Sequence, residues 1–420
     1  MNIKKICACL LGVSSLFATA TETYKYNDYY YQRKSLFEEL PVYSHDIVFL
    51  GNSLTNNGRW YEMFNNPNIK NRGIVSDVVQ GVSDRVELVT SGHPKKIFLL
   101  IGVNDVSHHL TADSIVTAVE NLIIKIKKET PETELFLQSW LPINNDFNRY
   151  KNMKGKEQTM LEGNVLLEQV ARRQGVKWIN LFPLLADRQC KLFKHMTNDG
   201  LHLNDEGYKV WREEVAKYVL EPGQTLNAEI YPVNNSDFVM VGSHSLVGGA
   251  EWHELLNIPN IKWRTSWGDN CDNLHKNAKK IASYKPKKLI LLSNYDFNKD
   301  TKLNVNPQFN ADSIVKHMEK AILAVKEVSP ETEIILQSPV PVNSTYEKYA
   351  EFKGNAKRLK AVNKKLQKLA KKHKIDWVDI TTVLSDEKGD LKAEYTNDGF
   401  HLMGKGYVAW ANALKPYLTK

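Results

Sequence analysis

Short apolar runs alternate with longer amphipathic stretches through the first half of this chain. Four runs have the length and composition of buried strands, namely DIVFL from Asp46, KKIFLLI from Lys95, ELFLQ from Glu134 and VKWIN from Val176. Between the second and third runs, apolar residues recur every three or four positions, which predicts an amphipathic helix. These residues are Ile115, Ala118, Val119, Leu122, Ile123 and Ile126. Strands that alternate with helices predict a parallel sheet covered on both faces, with functional residues at the carboxyl ends of its strands.

The second half of the chain repeats the first. NIPNIKWRT from Asn257 matches NNPNIKNRG from Asn65 at an offset of 192 residues, and TNDGFHLMGKGY from Thr396 matches TNDGLHLNDEGY from Thr197 at an offset of 199. The amphipathic stripe returns at Ile314, Met318, Ala321, Ile322 and Val325. Because the matched segments keep their order and nearly constant spacing, the sequence predicts a tandem duplication of an α/β unit of about 190 residues.

The N-terminus has the pattern of an export signal over residues 1–20. Lys4 and Lys5 precede the apolar run ICACLLGVSSLF, and a small-residue cleavage site, ATA, ends at Ala20. The run is too short for a mature membrane-spanning helix. Lipid attachment at Cys9 is an alternative, but almost no apolar run precedes that cysteine. We therefore expect the mature protein to be periplasmic or extracellular.

The remaining chain divides into three predicted segments. The first unit is expected at 21–220 and the second at 237–420. The segment between them, 221–236, contains turn-forming residues and no helical stripe, which is typical of a linker.

Composition and charge exclude some partners. The 420 residues suffice for two domains with cores of their own, and a net charge of +8 is too small for the dense basic surface of a nucleic-acid-binding protein. The lysine-rich segment 353–374 could bind an anionic partner or form the solvated face of a helix. Its apolar residues fall at helical spacing, which favours the second interpretation. They are Leu359, Val362, Leu366 and Leu369.

Two of the four cysteines, Cys190 and Cys271, lie beyond the predicted export signal. Export would permit a disulfide between them, whereas two separate buried thiols are the interpretation that we favour. Neither has a Cys or His partner at ligand spacing, so no metal site is predicted.

Candidate chemistry follows two of the apolar runs. Ser53 lies three residues past DIVFL, where a helix could begin, although such a serine is most often a helix cap. The stretch TNDGLHLN places Asp199 and His202 in one turn, although an aspartate there could simply cap the turn. A serine nucleophile needs a base that removes its proton, and the base needs a carboxylate that orients it.

Four short blocks resemble those of the SGNH hydrolases, also called the GDSL esterase superfamily. They are GNSL from Gly51, RG ending at Gly73, GVND from Gly102 and DGLH from Asp199. The order and spacing are most similar to the branch of platelet-activating-factor acetylhydrolase-like and carbohydrate acetylesterase proteins. The resemblance covers roughly residues 46–219. It implies that each unit is a flavodoxin-like three-layer α/β/α domain with a parallel sheet.

The resemblance also implies a role for each matched residue. Ser53 would be the nucleophile and His202 the base, oriented by Asp199. The backbone N–H groups of Ser53 and Gly73 and the side-chain amide of Asn104 would form the oxyanion hole. No metal or organic cofactor is implied. The chain departs from the superfamily's name-giving motif at residue 52, where Asn stands in place of Asp.

The second unit retains only part of this set. It keeps Asp398 and His401, but its nucleophile turn, GSHSL, is one residue longer than GNSL. Alignment on the downstream Trp pairs Ser245 with Ser53, whereas alignment on the preceding strand pairs His244 with it.

The second unit also lacks matching oxyanion donors. Thr265 stands opposite Gly73, and Asp296 or Tyr295 stands opposite Asn104. An ionised aspartate would repel an oxyanion, so we predict that Ser245, Asp398 and His401 are vestigial. The unit could instead bind glycan, cover the first site or replace a dimer partner.

These features together predict an exported serine ester hydrolase that removes acetyl or another short acyl group from a carbohydrate. A lysophospholipase or simple-ester esterase is the alternative within the same class. A non-catalytic glycan-binding protein is the alternative from another class.

Overall fold

Two five-stranded parallel sheets, one in each half of the chain, form the centre of a computed structural model. The structure describes residues 25–265, 271–292, 311–353 and 356–419. The predicted export signal at 1–20 lies outside these residues. Within them, no helix is both long and apolar enough to cross a bilayer.

The first sheet lies at the centre of the first unit. Its strands are β1 (Ile47–Gly51), β2 (Ile69–Gly73), β3 (Lys96–Leu100), β4 (Glu134–Gln138) and β5 (Lys177–Ile179). They lie in the order β2-β1-β3-β4-β5, and all neighbouring strands are parallel. This is the flavodoxin-like order, in which ligands bind at the carboxyl ends of β1 and β3.

Helices cover the first sheet on both faces. The helices in this half of the chain are α1 (Asp28–Glu38), α2 (Ser53–Asn56), α3 (Trp60–Phe64), α4 (Val79–Ser83), α5 (Glu87–Thr90), α6 (Val103–Ser107), α7 (Ala112–Glu129), α8 (Glu157–Gln174), α9 (Phe182–Leu185) and α10 (Asp205–Val219). The predicted amphipathic helix is confirmed as α7, and its apolar stripe is buried except for Ala118, which is partly exposed.

Strand β2 was not among the predicted strands. Its sequence, IKNRG, contains three polar residues and no alternation of apolar positions. The strand lies at the edge of the sheet and pairs only with β1. Edge strands commonly carry charged residues, so a search for apolar runs does not find them.

The second unit has the same topology. Its strands are β6 (Phe238–Val241), β7 (Ile261–Trp263), β8 (Lys288–Leu292), β9 (Glu333–Gln337) and β10 (Asp376–Val378). Their order is β10-β9-β8-β6-β7, again parallel, which confirms the prediction of two tandem α/β units.

Seven helices of the second unit lie in the described part of the chain. They are α11 (His244–Val247), α12 (Trp252–Leu256), α13 (Cys271–Ala282), α14 (Ala311–Val328), α15 (Ala356–His373), α16 (Ile380–Leu384) and α17 (Gly404–Leu414). The lysine-rich segment forms α15, and its apolar residues are buried, as the solvated-face interpretation predicted.

Helix α1 packs against both units. The sequence analysis had placed it within the first unit, at 21–220. Leu36 and Leu40, which follows the helix, lie in the second unit's core. Phe37 instead packs with Ile74 of the first unit. Arg33, also buried, donates to the Gly249 carbonyl oxygen at 2.8 Å, so the helix joins the two halves of the chain.

The two units meet at their edge strands through a pseudo-two-fold set of contacts. Arg72 of the first unit forms an ion pair with Glu254 of the second, and Arg264 of the second pairs with Glu62 of the first, each at 2.8 Å. Both pairs connect positions related by the 192-residue offset of the repeat. The contact between Arg72 and Glu254 is therefore repeated, with the two units exchanged, by Arg264 and Glu62. Contacts across the two-fold axis of a symmetric dimer are paired in the same way.

We expect Leu36→Ala to destabilise the second unit by about 2–5 kcal/mol, because the fully buried side chain leaves a cavity in that unit's core. Leu323→Ala is the matched control, since Leu323 is 52% exposed on α14. Urea unfolding followed by a probe in the second unit measures both variants. If the two variants lose equal amounts of unfolding free energy, the position assigned to α1 is contradicted.

Candidate active site

The first unit presents Ser53 at the carboxyl end of β1. Asn52 caps α2, because its side-chain oxygen accepts the Leu54 N–H at 3.0 Å. Ser53 is then the first residue of that helix, where backbone N–H groups have no intrahelical acceptor. Asn52 is thus a capping residue, and the departure from the superfamily motif leaves the helix start intact.

A second loop carries the predicted acid and base. Thr197 Oγ1 accepts the Gly200 N–H at 2.9 Å and donates to the His202 carbonyl oxygen at 2.7 Å, which closes the turn. Gly200 has a φ of 87°, and a side chain there would collide with the Asn144 carbonyl oxygen. The loop therefore requires glycine and holds Asp199 beside His202.

The structure brings Ser53, His202 and Asp199 into one hydrogen-bonded line. His202 Nε2 lies 3.0 Å from Ser53 Oγ, and His202 Nδ1 lies 2.8 Å from Asp199 Oδ2. Burial raises the pKa of Asp199, but hydrogen bonds from His202 and from the Leu201 N–H outweigh it and hold the pKa well below its ordinary value. The ionised carboxylate favours a proton on Nδ1, so Nε2 is free to accept the serine proton.

Tyr150 is a further member of this arrangement that the sequence motifs did not identify. Its hydroxyl donates to Asp199 Oδ2 at 2.8 Å and lies 3.1 Å from His202 Nδ1. Burial and the Asp199 carboxylate raise the pKa of Tyr150 to about 12, so the phenol remains a donor. The sequence repeat does contain a signal for this residue, because Tyr349 lies 199 residues later, at the offset that relates the two halves here.

The prediction that Gly73 supplies an oxyanion donor is corrected by the geometry. The Gly73 N–H donates to the side chain of Asn71 at 2.9 Å. A side chain at Gly73 would lie 2.2 Å from the Asn56 backbone nitrogen, so β2 approaches α2 too closely for any other residue. Glycine is required here for packing.

Ser76, three residues after Gly73, is exposed at the site. It lines the same cleft as Ser53 and Asn104. Its φ of 65° is uncommon for a residue with a side chain and turns the backbone sharply after β2. Among the described residues, its N–H donates to no protein group. Asn104 Nδ2 donates one hydrogen to the Asp77 carbonyl oxygen at 2.8 Å and retains a second.

These groups open onto a cleft of about 580 Å³. Its lining residues are Ser53, Val75, Ser76, Val103, Asn104, Ser107, Arg149, Tyr150, Lys151, Asn152, Met153, Leu201 and His202. Apolar side chains from four of them lie beside a polar rim. Two of the lining residues carry positive charge and none carries negative charge.

The second unit preserves the acid–base loop almost bond for bond. His401 Nδ1 lies 2.6 Å from Asp398 Oδ2, and Thr396 Oγ1 accepts the Gly399 N–H at 2.9 Å. The surroundings of the loop differ, because Lys348 places its ammonium 3.6 Å from the Asp398 carboxylate. Among the described residues, no hydrogen bond joins Tyr349, the counterpart of Tyr150, to Asp398 or His401.

The nucleophile turn of the second unit is rearranged. Trp252 donates to Val247, as Trp60 does to Thr55, so the helix framework pairs Ser245 with Ser53. Ser245 Oγ, however, lies 3.1 Å from Ser243 Oγ, and no hydrogen bond connects it to His401 in the described part of the chain.

The extra residue, His244, bonds Thr265 through its Nδ1 at 2.8 Å. Burial, with a contribution from the Arg59 charge, lowers the pKa of His244 to about 4. The positions expected to oppose Asn104, Tyr295 and Asp296, lie outside the described residues. The described geometry therefore separates the serine of this unit from its histidine.

Metal and thiol chemistry have few candidates here. No cluster of three His, Cys, Asp or Glu side chains in the described ranges could hold a metal ion. Cys190 is a free, partly exposed thiol, and the side chain of Cys271 lies outside the described residues.

Sequence comparison identifies one family in both halves of the chain. The profile of the GDSL-like lipase/acylhydrolase family matches residues 49–210 and 296–409, about two thirds of the chain. The two matched regions confirm the predicted resemblance and the tandem duplication. No curated protein matches the sequence.

Several solved structures are similar to this chain. One from Streptococcus pneumonia, whose name refers to platelet activating factor, is 25% identical over 46% of this chain and 91% of its own, with a TM-score of 0.42. A GDSL-like lipase from Bacteroides thetaiotaomicron is 22% identical over 41% and 87%, with a TM-score of 0.38. An acetyl-xylooligosaccharide esterase from Geobacillus Stearmophilus is 16% identical over 44% and 98%, with a TM-score of 0.35.

The residue that follows Asn104 in α6, Asp105, has a buried carboxyl. Asp105 accepts the Val79 N–H at 3.2 Å and is 6% exposed. Burial raises its pKa from 3.8 to about 7, and the Val79 hydrogen bond compensates only in part. The folded state therefore holds a proton that the unfolded chain releases near pH 4.

We expect Asp105→Asn to remove a pH-dependent loss of stability. Because the folded pKa is raised, wild-type stability should fall between about pH 4 and pH 7, by roughly 2–4 kcal/mol, and the neutral amide should not show this fall. Urea unfolding across this range measures the difference between the two proteins. Asp113→Asn, at an exposed position on α7, is the control. If the difference in free energy of unfolding between the wild type and Asp105→Asn does not change with pH, the expectation is contradicted.

Proposed function

Because this chain belongs to the GDSL-like lipase/acylhydrolase family, we propose that its first unit is a serine ester hydrolase that acts through Ser53, His202 and Asp199. Membership of the family supports ester hydrolysis in general. The observation that carries the specific proposal is the hydrogen-bonded line from Ser53 Oγ through His202 to Asp199, at the mouth of a cleft.

The proposed reaction has two halves. Ser53 Oγ attacks the ester carbonyl carbon while His202 Nε2 takes its proton, and the carbonyl oxygen becomes an oxyanion. His202 then gives the proton to the departing alcohol, which leaves an acyl-serine. Water attacks this ester with His202 again as the base, and the carboxylic acid leaves as serine regains its proton.

The oxyanion would be held by three donors at the ends of β1, β2 and β3. These are the backbone N–H groups of Ser53 and Ser76 and the remaining amide hydrogen of Asn104. Loss of one such donor typically costs about 2.7–4 kcal/mol of transition-state stabilisation. Tyr150 and Asp199 would keep the imidazole oriented as its charge changes.

We propose a short acyl group, with acetyl first, on a carbohydrate as the substrate of an exported enzyme. The apolar side chains of Val75 and Val103 can contact a small acyl methyl, and the polar side chains of Ser107 and Asn152 suit a hydroxylated alcohol. A lysophospholipid or simple ester is the alternative substrate. Release of acetate across a panel of acetylated glycans, acetylated acidic sugars and lysophospholipids measures the preference.

We expect Ser53→Ala to abolish hydrolysis of a chromogenic acetyl ester, because Ser53 carries the hydroxyl that is hydrogen-bonded to His202 Nε2. The matched control is the double variant Ser245→Ala with His401→Ala, which removes the corresponding groups of the second unit. It should leave kcat nearly unchanged, because Ser245 and His401 are not hydrogen-bonded.

Two outcomes would contradict this assignment. More than about a tenth of the wild-type rate in the folded Ser53→Ala protein would exclude Ser53 as nucleophile, since loss of a triad residue costs several orders of magnitude. A residual rate that disappears only when Ser245 is also removed would reveal a working second site. No hydrolysis of any ester by the wild type would favour a glycan-binding protein.

The positive rim predicts a preference for esters of acidic alcohols. Arg149 and Lys151 flank Tyr150, and exposed charges of this kind each contribute at most about 1 kcal/mol. Arg149→Gln with Lys151→Gln should lower kcat/KM for an acetylated sugar acid about 5–10-fold, with little effect on the neutral sugar ester. Lys154→Gln, a charge change outside the lining residues, is the control. Equal effects on both esters would reject a role in charge selection.

A further inference from the structure

The contact between the units continues inward to the proposed oxyanion hole. Arg72 lies at the interface and is fully buried. Its guanidinium donates to both carboxylate oxygens of Glu254, at 2.9 and 2.8 Å, and to the Leu40 carbonyl oxygen at 2.9 Å. The only acidic partner of Arg72 among the described residues therefore comes from the other unit.

The main chain of Arg72 is held by a second buried arginine. Arg85 donates to the Arg72 carbonyl oxygen at 2.9 Å and to the Gly51 carbonyl oxygen at 3.0 Å. Its Nε also donates to Asp77 Oδ2 at 2.9 Å. Arg85 thus connects the carboxyl ends of β1 and β2 to the loop that follows β2.

That loop carries one of the two donors that Ser53 does not supply, and it holds the other, Asn104 of α6, by a hydrogen bond. Ser76 immediately precedes Asp77, and the Asp77 carbonyl oxygen accepts the Asn104 amide at 2.8 Å. A displacement of Asp77 would therefore move the Ser76 N–H and the Asn104 side chain together. The contacts form a continuous buried path from Glu254 to the oxyanion donors.

Removal of the Glu254 carboxylate would affect the position of the Arg72 guanidinium. Burial acts to raise the pKa of Glu254, but Arg72 and then Lys70 overcome it and hold the pKa at about 2, so the carboxylate is charged at neutral pH. Its removal leaves a buried guanidinium without a counter-ion, which is strongly unfavourable unless the guanidinium moves. The backbone of Arg72 at the end of β2 would then shift.

We propose that Glu254 is a positioning residue for the first unit's oxyanion hole, and that the second unit serves as a built-in partner that supplies it. This inference rests on the proposed hydrolase function. It assigns a role to the second unit that needs no chemistry at Ser245 and no substrate contact. Of the roles considered for this unit, the network favours that of a dimer partner.

The pseudo-symmetry of the interface provides a matched control. Glu62 is the counterpart of Glu254, and its carboxylate holds Arg264 of the second unit at 3.2 and 2.8 Å. Glu254→Gln and Glu62→Gln therefore remove equivalent buried ion pairs from one interface. In the part of the chain that the structure describes, only the first pair leads to the loop that carries Ser76.

The experiment compares kcat, KM and thermal stability of these two variants on a small acetyl ester. We expect Glu254→Gln to lower kcat about 10-fold or more with KM within about 2-fold, because oxyanion donors act in the transition state. Glu62→Gln should lose comparable stability and keep kcat within about 2-fold of wild type. Unchanged kcat in folded Glu254→Gln, or equal losses of kcat in both variants, would overturn the proposal.

A second variant tests the proposal if the Glu254→Gln protein does not fold. Glu254→Asp keeps the charge and shortens the side chain by one methylene, so kcat should fall several-fold while the protein stays folded. Wild-type kcat in this variant would also overturn the proposal. The Ser53→Ala protein separates the two hypotheses: an active wild type with an inactive Ser53→Ala variant upholds the hydrolase, whatever the result at Glu254.

Discussion

The guanidinium of Arg85 is the group on which the rest of the site depends. Strands β1 and β2 both end at glycines, and the main-chain carbonyl oxygens there need donors when they are buried. Arg85 satisfies two of them and forms an ion pair with Asp77 at 2.8 Å. One planar group thereby holds the strand end that precedes Ser53 and the loop that carries Ser76 in a single arrangement.

The two units show which parts of the fold tolerate change after duplication. Each keeps a buried tryptophan that donates to its nucleophile helix, and each keeps the aspartate–histidine loop. The nucleophile turn differs by one residue. With the extra residue present, Ser245 is hydrogen-bonded to Ser243, whereas the bond from Trp252 to the helix persists.

The interface connects the second unit to the first through buried charges. Its ion pairs are buried and reciprocal, so neither half could expose them without leaving charges uncompensated. Helix α1 adds a second connection. The guanidinium groups of Arg33 and Arg72 lie 4.8 and 4.9 Å from the centre of the Phe37 ring, at the point where the two units and the helix meet.

Sequence alone determined the α/β class, the duplication, and the identity of Ser53, Asp199 and His202 as candidates, because each depends on a local pattern or a short motif. Tertiary structure decided the rest. Tyr150 reaches Asp199 across 49 residues, and Glu254 reaches Arg72 across 182. The Gly73 N–H, a predicted oxyanion donor, is taken by a neighbouring side chain, and the proposed donor is Ser76, where the backbone turns after an edge strand. Such roles depend on which groups are close in space and on which hydrogen bonds they already make. A local sequence pattern contains neither kind of information.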